Sequence, residues 1–123
     1  MASNKKIIDS DKIARESNKK VLRFFSALSD ETRLRIVLCL ADSKKTVGEI
    51  HTCIGINKMT LSAVSHQLSY LTNIDIVKYE KLGREKYFQL SDDFCWCILK
   101  DAFRHYGAKK ICCKRCSQLK KEC

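Results

Sequence analysis

Residues 60–90 read TLSAVSHQLSYLTNIDIVKYEKLGREKYFQL, and the hydrophobic period changes partway along them. Leu61, Val64, Leu68 and Leu71 recur at helical spacing and would line one face of a helix capped by Thr60. The opposite face carries Ser62, Ser65, His66, Gln67 and Ser69, all short or flat hydrogen-bonding groups. From Ile76 the residues alternate instead, IVKYEK and then KYFQL, around a turn Lys81-Leu82-Gly83-Arg84. Gly83 can supply the positive φ that a tight hairpin turn needs. A helix with a polar outer face running into a charged hairpin is the segment from which the rest of the reading follows.

Upstream, TVGEIHTCIGI predicts a short helix. Thr46 and Glu49 have capping-box spacing, and Gly55 can close it. Before it, ETRLRIVLCLAD predicts a helix capped by Ser29 or Asp30 and apolar on most sides, with Cys39 as a small core residue. Val21, Leu22, Phe25 and Leu28 mark a first helix starting near Ser10, after a loose N-terminus over residues 1–9. A last helix is expected from Asp92 to Tyr106, with Leu99, Ala102, Phe103 and Tyr106 as its seam. The chain divides into residues 1–9, a domain over 10–107, and a Cys/Lys-rich tail over 108–123. The fold class expected is mainly α with a small β-hairpin, a winged helix-turn-helix.

Composition bounds the function. The 123 residues contain 24 Lys and Arg against 14 Asp and Glu, a formal charge of +10, which attracts polyanions. A chain this short often completes its core by dimerising. No apolar run is long enough to span a membrane and the N-terminus lacks a signal-peptide core, so a cytoplasmic location is expected. Neither a glycine-rich phosphate loop nor a nucleophile–base–orienter set suggests an enzyme.

Six of the eight cysteines lie in the final 29 residues, Cys95, Cys97, Cys112, Cys113, Cys116 and Cys123. In a reducing compartment such clusters bind metal or sense redox state more often than they form disulfides. Cys97, Asp101 and His105 fall at i, i+4 and i+8 on one helix face, and Cys113-x-x-Cys116 is a thiolate chelate with Cys112 and Cys123 nearby. Thiolates at this density suit zinc, cadmium or arsenite, and Lys109, Lys110, Lys114 and Arg115 favour the thiolate form. A structural zinc knot and a thiol switch responding to oxidant or sulfane sulfur are the alternatives. His51 and Cys53 are expected to pack or face solvent.

LSDETRLRIVLCL, TVGEIHTCIGI, AVSHQLSYL and VKYEKLGREKYFQLSD together resemble the ArsR/SmtB family of metal-responsive repressors, from about Phe24 to His105. The resemblance implies a winged helix dimeric through its terminal helices, a homodimer that binds double-stranded operator DNA and is released by an inducer. It implies a recognition helix reading bases with Ser62, Ser65, His66 and Gln67, and a wing meeting the DNA backbone with Lys81, Arg84 and Lys86. Of two inducer sites known from the family, one is absent: Thr46-Val47-Gly48 stands where it has Cys-x-Cys. Asp92-x-Phe94 and His105-x-x-Ala108 keep half of the other. The inducer ligands expected are therefore Cys95, Cys97, His105, Cys112, Cys113, Cys116 and Cys123. The link GINKMT is about three residues longer than the family's usual one, near Asn57-Lys58-Met59.

Overall fold

A computed structural model describes residues 2–106, with side chains from Ser10 onward. Five helices and one hairpin follow in the order α1 (Ala2–Leu28), α2 (Glu31–Cys39), α3 (Val47–Ile54), α4 (Leu61–Asn73), β1 (Val77–Leu82), β2 (Glu85–Leu90) and α5 (Trp96–His105). The mainly α winged helix-turn-helix is the fold observed.

Each of the three central helices starts at a side-chain cap. Asp30 accepts from Arg33 N at 3.0 Å, and Thr60 accepts from Ala63 N at 3.1 Å. At α3 the box is reciprocal: Thr46 Oγ1 accepts from Glu49 N, and Glu49 Oε1 accepts from Thr46 N at 3.0 Å. Gly55 ends α3 at φ 112°, where a Cβ would be strained. The apolar faces meet in one core, whose largest fully buried side chains are Ile36, Val37, Ile50, Val64, Leu68, Leu71 and Val77.

The hairpin pairs antiparallel from Val77↔Leu90 to Leu82↔Glu85, turning at Gly83-Arg84 with Gly83 at φ 64°. Leu82 is thus the last residue of β1 rather than part of the turn's centre. The hairpin is fastened to the helices by a two-way bridge in which Lys45 N donates to Phe88 O at 2.9 Å and Phe88 N to Lys45 O at 2.7 Å. At the other end, rings of Phe24 and Phe94, and of Phe94 and Trp96, lie 5.4 and 5.3 Å apart and join α1 to the start of α5.

Helix boundaries differ from the sequence reading at both ends. α1 begins at Ala2 rather than near Ser10, since no proline or glycine interrupts the chain before Gly48. α5 begins at Trp96 rather than Asp92, because Phe94 turns inward to 6% exposure and Ser91 Oγ donates to Asp75 O.

The cap at α3 has a pH signature. The Glu49 carboxyl is held below its ordinary value, first by the Thr46 backbone N–H and then by the Thr46 side chain, with Lys45 adding to the effect. A depressed folded value means its contribution is present above the ordinary 4.5 and is lost as pH falls through the lower folded value. Thr46→Ala should cost about 1 kcal/mol at neutral pH, read by urea unfolding. The stability gap between the wild type and Glu49→Ala should narrow as pH drops below 4.5; a gap independent of pH would contradict the box.

Candidate nucleic-acid interface

Burying Val64, Leu68 and Leu71 orients α4, and with an inner stripe fixed the outer one is fixed too. Ser62, Ser65, His66 and Ser69 are exposed along it, and Asn73 continues it. Gln67 is not on this stripe. It sits roughly 140° around the helix from Ser62, at about 100° per residue, and is half-buried. Arg33 Nη1 lies 3.5 Å from Gln67 Oε1. The same guanidinium donates to Ala27 O and Ser26 O, both at 3.1 Å, and lies 4.6 Å from the centre of the Tyr70 ring. Arg33 thus clamps the end of α1, the start of α2 and the flank of α4. Gln67 would have to leave this clamp to reach a base edge.

The wing brings together the cations singled out from sequence. Lys81, Arg84 and Lys86 are exposed around the hairpin tip, and Lys81 and Lys86 are direct cross-strand partners. Like charges directly opposite one another destabilise a sheet pair, a cost a polyanion would relieve. Lys86 Nζ lies 4.6 Å from the centre of the Tyr79 ring, which steadies it without cancelling its charge. Between wing and α4 lies an open cleft of about 680 Å³, whose lining includes Ser65, Ser69, Asn73, Lys81, Arg84 and Lys86. Ser69, named on the outer face but not among the base contacts, and Asn73 are further interface candidates; Ser69 stands four and seven residues from Ser65 and Ser62, and Asn73 four from Ser69, which was the available signal.

The longer link before α4 is ordered by α3. His51 Nε2 is hydrogen-bonded to Met59 O at 2.7 Å, and Lys58 N donates to Gly55 O at 3.0 Å. His51 therefore braces the residue that precedes the α4 cap.

The cysteines divide. Cys95 is exposed with a free thiol at the N-cap of α5. Cys97 is half-buried and disulfide-bonded. His105 is exposed, its ring 4.8 Å edge-on from Tyr106. Positions i and i+8 are about 12 Å apart along a helix, so Cys97 and His105 do not meet on one ion. Among the described residues no group of three or more Cys, His, Asp or Glu is placed to hold a metal. Cys112, Cys113, Cys116 and Cys123 lie outside the described residues. Contrary to the expectation of unpaired thiols, Cys39 and Cys53 form a disulfide between α2 and α3. Their 6.2 Å Cα separation is within the range such a bridge spans.

α1 and α5 leave Val21, Leu22, Phe25, Ile98 and Tyr106 exposed. An apolar groove of about 300 Å³ between these helices is lined by Phe25, Leu28, Leu34, Ile98, Phe103 and Tyr106 among others.

The family model described as "Bacterial regulatory protein, arsR family" matches residues 30–79. Over 86 residues the chain is 35% identical to the transcriptional repressor SmtB homolog of Synechocystis, covering 70% of this chain and 63% of that protein's length. It is 33% identical over 95 residues to the cadmium resistance transcriptional regulatory protein CadC homolog of Staphylococcus aureus, covering 76% and 75%. The crystal structure of NolR from Sinorhizobium fredii superposes with a TM-score of 0.65 at 27% identity, covering 77% of this chain and 92% of that one.

Arg33→Ala should destabilise the protein by about 1–3 kcal/mol in urea unfolding, because two carbonyl contacts and the Tyr70 stack are lost together. Gln67→Ala, which removes only the longest of those contacts, should cost less.

Proposed function

This chain belongs to the arsR family of bacterial regulatory proteins, and from that premise we propose a homodimeric transcriptional repressor, not an enzyme, that lets go of operator DNA when a soft metal or metalloid binds its C-terminal thiolates. The observation that carries the DNA-binding part is the continuity of the exposed α4 stripe with the three wing cations around one cleft. α4 would enter the major groove with Ser62, Ser65 and His66 toward base edges, while Lys81, Arg84 and Lys86 take backbone phosphates.

The apolar faces of α1 and α5 support pairing of two copies, since monomers rarely leave contiguous large apolar side chains in water. A two-fold dimer then reads half-sites roughly 34 Å apart. The name of the SmtB homolog supports a transcriptional repressor, and that of the CadC homolog, a cadmium resistance regulator, supports a metal inducer. The donors proposed are Cys112, Cys113, Cys116 and Cys123, with the exposed Cys95 within the folded domain as a further candidate. Thiolates of this kind suit zinc, cadmium or arsenite. Cys97 joins them only once reduced, an observation that favours a thiol–disulfide response as the second reading.

Alanine at Lys81, Arg84 and Lys86 should weaken binding on every DNA sequence. Each removed phosphate contact should lower the slope of log affinity against log salt by about one. Replacing Ser65 or His66 should instead relax sequence preference; both are measurable by fluorescence anisotropy on specific and scrambled duplexes. Cys112→Ser, Cys113→Ser or Cys116→Ser should leave DNA affinity intact and blunt release by zinc, cadmium or arsenite. Loss of DNA binding in those variants would make the cluster a structural zinc site instead.

A further inference from the structure

Cys39 and Cys53 stand apart from the terminal cysteines and are joined to each other. The two sulfurs sit in unlike surroundings: Cys39 is 8% exposed in the core wall of α2, while Cys53 is exposed on the last turn of α3. From the Cys53 turn a short mechanical path leads to the interface. Cys53 lies two residues from His51, whose ring holds Met59 O, and Met59 directly precedes Thr60, the cap of α4. The bridge therefore ties the helix that positions the recognition helix to a helix locked in the core by Ile36 and Val37.

We propose that Cys39 and Cys53 are a reversible thiol–disulfide pair, with Cys53 the entry point for low-molecular-weight disulfides, and that its oxidation lowers DNA affinity. In the forward reaction the Cys53 thiolate attacks one sulfur of an oxidised small-molecule disulfide, forming a mixed disulfide and expelling one small thiolate. The Cys39 thiol, after losing its proton to solvent, then attacks the Cys53 sulfur and expels the second small thiolate. The protein loses two electrons and two protons, and the small disulfide takes them up as two thiols. Reduction by excess small thiol reverses both steps through the exposed Cys53 sulfur.

The consequence for α4 is geometric. Two unbonded thiols cannot stay as close as two bonded sulfurs, so reduction lets the last turn of α3 separate from α2 or swings Cys53 into solvent. Either change returns freedom to the Gly55–Thr60 link, whose residues set the angle at which α4 leaves α3. Oxidation removes that freedom. The sign of the effect rests on the proposed function: a repressor that is released when an ion binds its terminal thiolates holds DNA with those cysteines unoxidised, so the reduced protein is the DNA-binding form.

The test uses the full chain with its own upstream DNA in buffers of glutathione and glutathione disulfide. In parallel, trypsin separates the two thiols onto peptides 36–44 and 46–58, each with one cysteine, so mass spectrometry after alkylation counts this bridge alone. The wild type should lose at least tenfold in affinity as the linked peptide accumulates. Cys53→Ser should bind like the reduced wild type in both buffers. A second variant, Cys39→Ala, fills the same core position without a thiol and should behave as Cys53→Ser does, so a folding defect in one does not decide the outcome. Absence of the linked peptide, an unchanged wild-type affinity, or a response retained by Cys53→Ser would each overturn the inference while leaving the repressor reading standing. Failure of the reduced wild type to bind its DNA would overturn both.

Discussion

The burial of Val64, Leu68 and Leu71 against Ile36, Val37 and Ile50 is the constraint on which the interface depends. A helix has one rotation that hides a given stripe, and that rotation decides which residues face outward. Fixing the inner stripe of α4 places Ser62, Ser65, His66 and Ser69 in solvent. It also sends Gln67 sideways into the Arg33 clamp. Removing any of the three inner side chains would leave a cavity, at about 2–5 kcal/mol for Leu→Ala, and free the helix to roll.

The wing depends on a different balance. Its strands are tied to the rest of the chain by the Lys45–Phe88 bridge, the Lys44–Glu80 ion pair and the burial of Val77 and Leu90, while residues 81–86 at the tip are all exposed. Setting Lys81 opposite Lys86 there works against pairing, and neither position is needed for the core. Charges held at a local cost beside a helix face of hydrogen-bonding groups are what a backbone-phosphate contact requires. The +10 charge of the chain adds a general field, and the tip gives it a direction.

Sequence reading went furthest where one local rule decided the outcome. The caps at Asp30, Thr46 and Thr60, the stop at Gly55 and the hairpin around Gly83 all follow from residue type and spacing, and each is observed. It fell short where tertiary packing chose between local options. Phe94 delays α5 because a core site is open to it, which no helical period encodes. Gln67 belongs to the same polar set as His66 by composition, yet Arg33, 34 residues away, claims it. The Cys39–Cys53 bridge was hidden for the same reason: the two residues occupy different helices, and only the α2–α3 packing makes them neighbours.

The central claim is sequence-specific DNA binding through the α4 face and the wing. Its most direct test is fluorescence anisotropy of the reduced full chain on the DNA upstream of its own reading frame, against a scrambled duplex of equal length. The upstream duplex should bind at least about 10³-fold more tightly, with affinity on both falling steeply as salt rises. Equal affinity for the two duplexes would reduce the cationic surface to a nonspecific polyanion contact and contradict the assignment of α4 as a reading helix.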